Sequence, residues 1–136
     1  NTNDSNGTSG GRHHTFFSSG TEVGRITTTT SATTYTTSSD YRLKENVTYE
    51  WDATSRLKQL KPVRFNFLVD PEKTVDGFLA HEVQGVVSEA VDGEKDAVDD
   101  DGKPIYQAID QSKIVPLLVK TIQELEARIA NLEENK

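Results

Sequence analysis

Leu118, Ile122, Leu125, Ile129 and Leu132 recur at spacings of four, three, four and three, the a/d repeat of a coiled coil. This pattern predicts a helix over 110–134, capped by Asp110, with Glu124, Glu126, Arg128 and Glu133 at flanking positions. Pro116 falls near the helix start, where a missing N–H does least harm. So long a helix reaches beyond a small domain, and its apolar stripe stays exposed unless partner helices cover it. Packing of the stripe on its own domain is the alternative. Isoleucine at a with leucine at d leans towards two strands. The repeat therefore predicts an oligomer but not its number.

The rest of the chain divides near Ser38. Residues 1–38 are mostly Asn, Gly, Ser and Thr, with apolar islands at Phe16-Phe17 and Val23-Gly24-Arg25-Ile26. They carry Arg12 and Arg25 against Asp4 and Glu22, so the whole net charge of −7 lies after them. So little apolar surface cannot close a core. The stretch is either a disordered linker or a set of short strands packing only against identical strands of other chains. Its β-branched Thr27–Thr37 tract and the Phe pair favour strands. The polar start Asn1–Gly10 reads as an internal cut. An acidic chain without a basic patch is a poor partner for nucleic acid or an anionic membrane. No apolar run is long enough for membrane insertion. The absence of cysteine excludes thiolate chemistry and disulfides and fits a reducing compartment.

After Ser39 the pattern is that of a small α+β domain. Asp52 can cap a short helix over Ala53–Leu60 that stops at Lys61-Pro62. Val63, Phe65, Phe67 and Val69 alternate on one strand face, and Asp70-Pro71 ends the strand. Gly77–Ala80 reads as a second strand running into a helical turn over His81–Val87. Ala97-Val98 and Ile105-Tyr106 form a hairpin around Asp100-Asp101-Gly102.

The chemistry-bearing candidate sits at the compositional boundary. Ser39 offers a hydroxyl nucleophile and Lys44, five residues on, an amine. A lysine takes a proton only when neutral, which means moving it from about 10.4 to about 7 or 8 by burial or neighbouring charge such as Arg42. Five residues put the two side chains on opposite faces of a strand and off-face on a helix. They meet only across a turn, or when the lysine reaches a neighbouring subunit. By spacing alone they are ordinary surface residues. Other candidates are weaker. His13-His14 lacks a third metal ligand, and His81-Glu82 lacks the second histidine of a zinc-protease helix. The acidic run from Asp92 to Asp101 fails as a calcium loop: aligning Gly102 puts Ala97 and Ala108 at ligand positions. Gly85 and Gly93 make no phosphate loop. No metal and no cofactor are expected.

Four ordered blocks carry a resemblance. Ser38-Ser39-Asp40-Tyr41-Arg42-Leu43-Lys44-Glu45-Asn46-Val47, Leu57–Phe67, Gly77–Gln84, and Lys113 through Leu125 are similar to successive motifs of the endosialidase-type intramolecular chaperones of phage tailspikes, tail fibres and neck appendages. Together they cover essentially Ser39 to the end; His81 stands where glutamine is commoner. The resemblance implies that Ser39 is the nucleophile and Lys44 the base of a self-cleaving pair. The cut then lies between Ser38 and Ser39. The resemblance itself gives Asp40 and Arg42 no chemical role; as support, Asp40 can hold the lysine or the local backbone and Arg42 can supply neighbouring charge. The resemblance also implies a homotrimer: residues 1–38 end a trimeric β-stalk, and residues 39–136 are the chaperone that aligns it. The partners are then the chain's own copies and its upstream stalk. Assembly takes place in the host cytoplasm, after which the stalk stays on the virion tail and the chaperone leaves. Two other readings stand beside this one. In the first, a non-cleaving trimeric fibre tip binds a host surface; in the second, the chain is a plain coiled-coil adaptor.

Overall fold

The computed structural model describes residues 11–135; the opening stretch that reads as an internal cut lies outside them. The chain forms two compact units, one ending at Tyr49 and the other beginning at Glu50. Its class is α+β.

The first unit is a three-stranded antiparallel meander of β1 (Arg12–Ser18), β2 (Thr21–Thr28) and β3 (Thr33–Thr37), in that order. Strands are therefore present, but they pair within one chain rather than only with other copies. Two turns make this local pairing cheap. Ser19 and Gly20 both have positive φ, the requirement of a two-residue turn matching the twist of its strands. In the second turn the Thr29 hydroxyl accepts from the backbone N–H groups of Ser31 and Ala32, and Thr29 N–H donates to Ala32 O at 2.8 Å. Gly24 lies between Phe16 and Thr37. A Cβ there would come within 2.8 Å of the Thr36 carbonyl oxygen, so the closeness of β2 and β3 depends on its absence. None of the described residues up to Tyr49 is buried.

The second unit holds the core: Ala53, Val83, Val87, Ala90, Ile114 and Leu117, with Trp51, Leu57, Leu60, Phe78, Val86, Val91 and Ile109 packed around them. Helix α1 spans Ala53–Leu57, and the Asp52 carboxylate accepts from Ser55 N–H at its start. It is shorter than expected because the chain leaves the α-helix at Lys58, and tighter turns carry it to Leu60.

The hairpin that follows, β4 (Val63–Phe67) with β5 (Asp70–Gly77), corrects the predicted boundaries. Asp70-Pro71 opens the second strand instead of closing the first, and the turn is Leu68-Val69, both almost fully exposed. Pro71 is tolerated because the register is irregular there: Asn66 pairs with Thr74 but Phe67 with Asp70. The strand placed over Gly77–Ala80 ends at Gly77, and α2 (Ala80–Gln84) starts after Phe78 and Leu79.

Strands β6 (Val91–Asp92) and β7 (Ala108–Ile109) pair across a long excursion. The expected Asp-Gly turn lies at its tip. Ile105 N–H donates to Ala97 O at 2.8 Å, Val98 bridges Pro104, and Gly102 has φ +76°.

The terminal helix α3 spans Val115–Glu134. Asp110 caps a preceding 3₁₀ turn, Gln111–Ile114, rather than the helix itself, and Pro116 sits in the first helical turn. Its inner face is narrow: Leu117 and Thr121 are buried, while Leu118, Ile122, Leu125, Ile129 and Leu132 are all exposed. Within the chain, the unit's own packing leaves the heptad stripe uncovered.

Candidate functional site

The site is a turn following directly on β3. Asp40 caps a single 3₁₀ turn, Tyr41–Leu43, by accepting from Arg42 N–H at 2.9 Å. Its carboxylate also takes Arg42 in a fork, Nε to Oδ1 at 2.9 Å and Nη2 to Oδ2 at 3.0 Å. Two planar groups held this way leave little torsional freedom between them. Leu43 N–H donates to Asp40 O and Lys44 N–H to Tyr41 O, both at 3.1 Å, which closes the turn. The Arg42 guanidinium beside Asp40 holds that carboxyl below the usual carboxylate range, and the same pair raises Arg42.

The turn reverses the chain between Ser39 and Lys44. Lys44 Nζ donates to Ser39 Oγ at 2.7 Å. Of the two routes the spacing left open, this is the one through a turn within a single chain. On the amino side of the pair, Ser38 is fastened to β2. Its N–H donates to Val23 O at 3.0 Å and its hydroxyl to Glu22 O at 2.9 Å. Ser38, Ser39, Asp40, Arg42 and Lys44 are all exposed in the single chain. So are Tyr41, Leu43, Val47 and Tyr49, large apolar side chains flanking the pair.

Elsewhere, His13 hydrogen-bonds to Thr28 Oγ1 at 2.6 Å across the meander. Glu82, next to His81, pairs with Lys61 at 3.1 Å. In the acidic excursion Asp99 Oδ1 accepts from the N–H groups of Asp101 and Lys103, the bonding of a turn. No group of three or more metal-ligating side chains occurs among the described residues. No helix among them is long and apolar enough to cross a membrane.

Glu124 has a role that its heptad position conceals. Its carboxylate accepts from Ala53 N–H (2.9 Å), Thr54 N–H (2.8 Å) and the Thr54 hydroxyl (2.6 Å), so it caps α1 from α3. The Thr54 hydroxyl first, then the Ala53 N–H, hold it below the usual carboxylate range. A sequence offers no pointer to a cap supplied from 70 residues away. A pocket of about 420 Å³ opens at the other end of α1, lined by Leu57, Leu60, Pro62, Phe78, Ile114 and Leu118.

Fold and site define an α+β chain in which a Ser–Lys pair sits on a tight turn directly after a β-meander. Residues 39–92 match a peptidase family described as the chaperone of endosialidase, and the match begins at Ser39 itself. The resemblance seen in the motifs thus holds as a family match over that stretch. No curated protein matches the chain.

Proposed function

We propose that the chain is an intramolecular chaperone that trimerises, brings the stalk of a phage tail fibre or tailspike into register, and then cuts itself off between Ser38 and Ser39. The observation that carries this reading is the 2.7 Å contact between Lys44 Nζ and Ser39 Oγ, at the first residue of the family match.

The chemistry balances without a cofactor. Neutral Lys44 takes the Ser39 Oγ proton as Oγ bonds to the Ser38 carbonyl carbon through a five-membered ring. The C–N bond breaks, and Lys44 returns the proton to the departing nitrogen, which becomes the α-amine of Ser39. Water hydrolyses the resulting ester, leaving a carboxylate on Ser38 and restoring the Ser39 hydroxyl. A lysine is neutral near pH 7 only where burial or neighbouring positive charge disfavours its ammonium, and the Arg42 charge here is tied to Asp40. In the single chain the site is open, so the desolvation has to come from association. Tyr41, Leu43, Val47 and Tyr49 supply apolar surface around the pair for it.

Trimerisation rests on the uncovered stripe of α3, which three copies would bury together. Holding three meanders side by side raises their effective concentration and offsets the loop-closure entropy that slows non-local β pairing. Cutting then makes assembly irreversible, and the stalk persists behind a kinetic barrier. On this reading the stalk stays with the virion tail, and the released chaperone remains in the host cytoplasm.

The test is expression of Ser39→Ala and Lys44→Ala beside the wild type. The wild type yields two fragments on a denaturing gel, and both variants stay whole while assembling as the wild type does. Fragments from either variant refute the pair. A single full-length band from the wild type favours a fibre tip that stays attached.

A further inference from the structure

Two serines stand side by side at the boundary, and the structure gives them different partners. The Ser39 hydroxyl meets Lys44 at 2.7 Å. The Ser38 hydroxyl points the other way and donates to Glu22 O at 2.9 Å, while Ser38 N–H donates to Val23 O at 3.0 Å. That stretch of β2 is itself held, because the Glu22 carboxylate pairs with Arg12 at 2.9 Å and Arg25 at 2.7 Å. On the far side of Ser39, the Asp40–Arg42 fork locks the turn. The peptide bond joining Ser38 to Ser39 therefore bridges two fastened pieces, the end of the meander and the 3₁₀ turn.

Attack on the Ser38 carbonyl requires only a carbonyl from that residue, so the chemistry itself does not ask for a hydroxyl there. Holding the reacting carbon near the nucleophile does benefit from one. A hydroxyl directed onto Glu22 O is also kept from competing with Ser39 for the lysine. Resting on the self-cleaving reading above, we propose that Ser38 is a positioning residue for the cut: its hydroxyl, tied to the Glu22 carbonyl, fixes the carbonyl that Ser39 attacks.

The experiment is a pulse-chase of the full chain made by cell-free translation, with assembled protein separated on a native gel. The first-order rate of cutting is measured within that assembled fraction. Ser38→Ala removes the donor and slows cutting by about five- to tenfold, the factor one ordinary hydrogen bond carries. Ser38→Thr keeps a donor and suits a strand end, so it restores the rate to within about twofold. A merely structural role would instead lower the assembled fraction and leave the rate within it unchanged. Wild-type cutting by Ser38→Ala, or equal slowing by alanine and threonine, overturns the proposal. Ser39→Ala run alongside separates the two levels. If it stays whole while Ser38→Ala cuts at full speed, only the positioning role is lost; if it is cut, the self-cleaving reading falls and this one with it.

Discussion

Between Arg12 and Thr37 three strands satisfy one another's backbone groups, yet none of their side chains is buried. Between Ala53 and Leu117 the reverse holds: short elements, two of its strands only two residues long, surround a small closed core. The meander has register without burial, and the second unit has burial among elements of very unequal length, from two-residue strands to a 20-residue helix. Hydrogen bonds exchanged for water contribute modestly, while apolar area removed from water contributes most of the stability. By that measure the meander draws little stability from burial of its own, and the second unit draws its stability from its core. The terminal helix belongs to both descriptions. Leu117 is 2 % exposed and Ile122, five residues on, 63 %; one face is core and the other is unpartnered.

The sharpest way to break this contrast is to charge the unpartnered face. Ile122→Lys with Ile129→Lys should abolish association, reading as a monomer by light scattering, while the helical circular dichroism of the second unit persists. Loss of the fold along with association would show that the stripe belongs to the core. Next in size is Leu117→Ala, which removes a buried side chain and should cost about 3 kcal/mol in denaturant unfolding of the second unit. Gly24→Ala probes the other region. Its Cβ meets the Thr36 carbonyl oxygen at 2.8 Å, so β3 must shift, at roughly 1–3 kcal/mol, seen as faster amide exchange at Thr34 and Thr36, the β3 amides that face β2 in this register. Unchanged exchange at those two residues would mean that β3 does not lie against β2 in this register.

The Glu124 cap gives a pH signature. Its folded carboxyl titrates below the ordinary 4.5, so its contribution is complete above the unfolded value and is lost as pH falls through the folded one. Glu124→Gln should flatten the acid limb of the unfolding midpoint against pH and leave the neutral limb parallel to the wild type. The smallest effect is expected at the hairpin tip. Leu68 is 100 % exposed, and Leu68→Ser should change stability by less than about 0.5 kcal/mol.

How much of the molecule is legible in its sequence follows the range of each interaction. The Asp52 cap, the Gly102 turn, the start of α2 and the heptad stripe depend on neighbours within a few residues, and all are found close to where their local chemistry puts them. The Ser39–Lys44 pair is legible as residue types and through the Ser-Asp-Tyr-Arg-Leu-Lys motif. The turn that joins it, however, depends on a carboxylate–guanidinium fork two residues apart, which spacing rules do not contain. Long-range partners stay hidden. Glu124 looks like a coiled-coil flank until α1 is placed against it, and Ser38 looks like linker until β2 supplies the carbonyl it donates to. Asp70-Pro71 misleads for a different reason. Asp-Pro is strong turn chemistry, and only the irregular pairing of β5 lets it sit inside a strand while apolar Leu68-Val69 makes the turn.

The decisive measurement is the intact mass of freshly expressed wild-type protein, with the first residue of any short product sequenced. Release by the Ser39 hydroxyl predicts a C-terminal product that begins at Ser39 and has the mass of the unmodified chain from that residue on. One undivided mass, or a product that begins at any other residue, would contradict it.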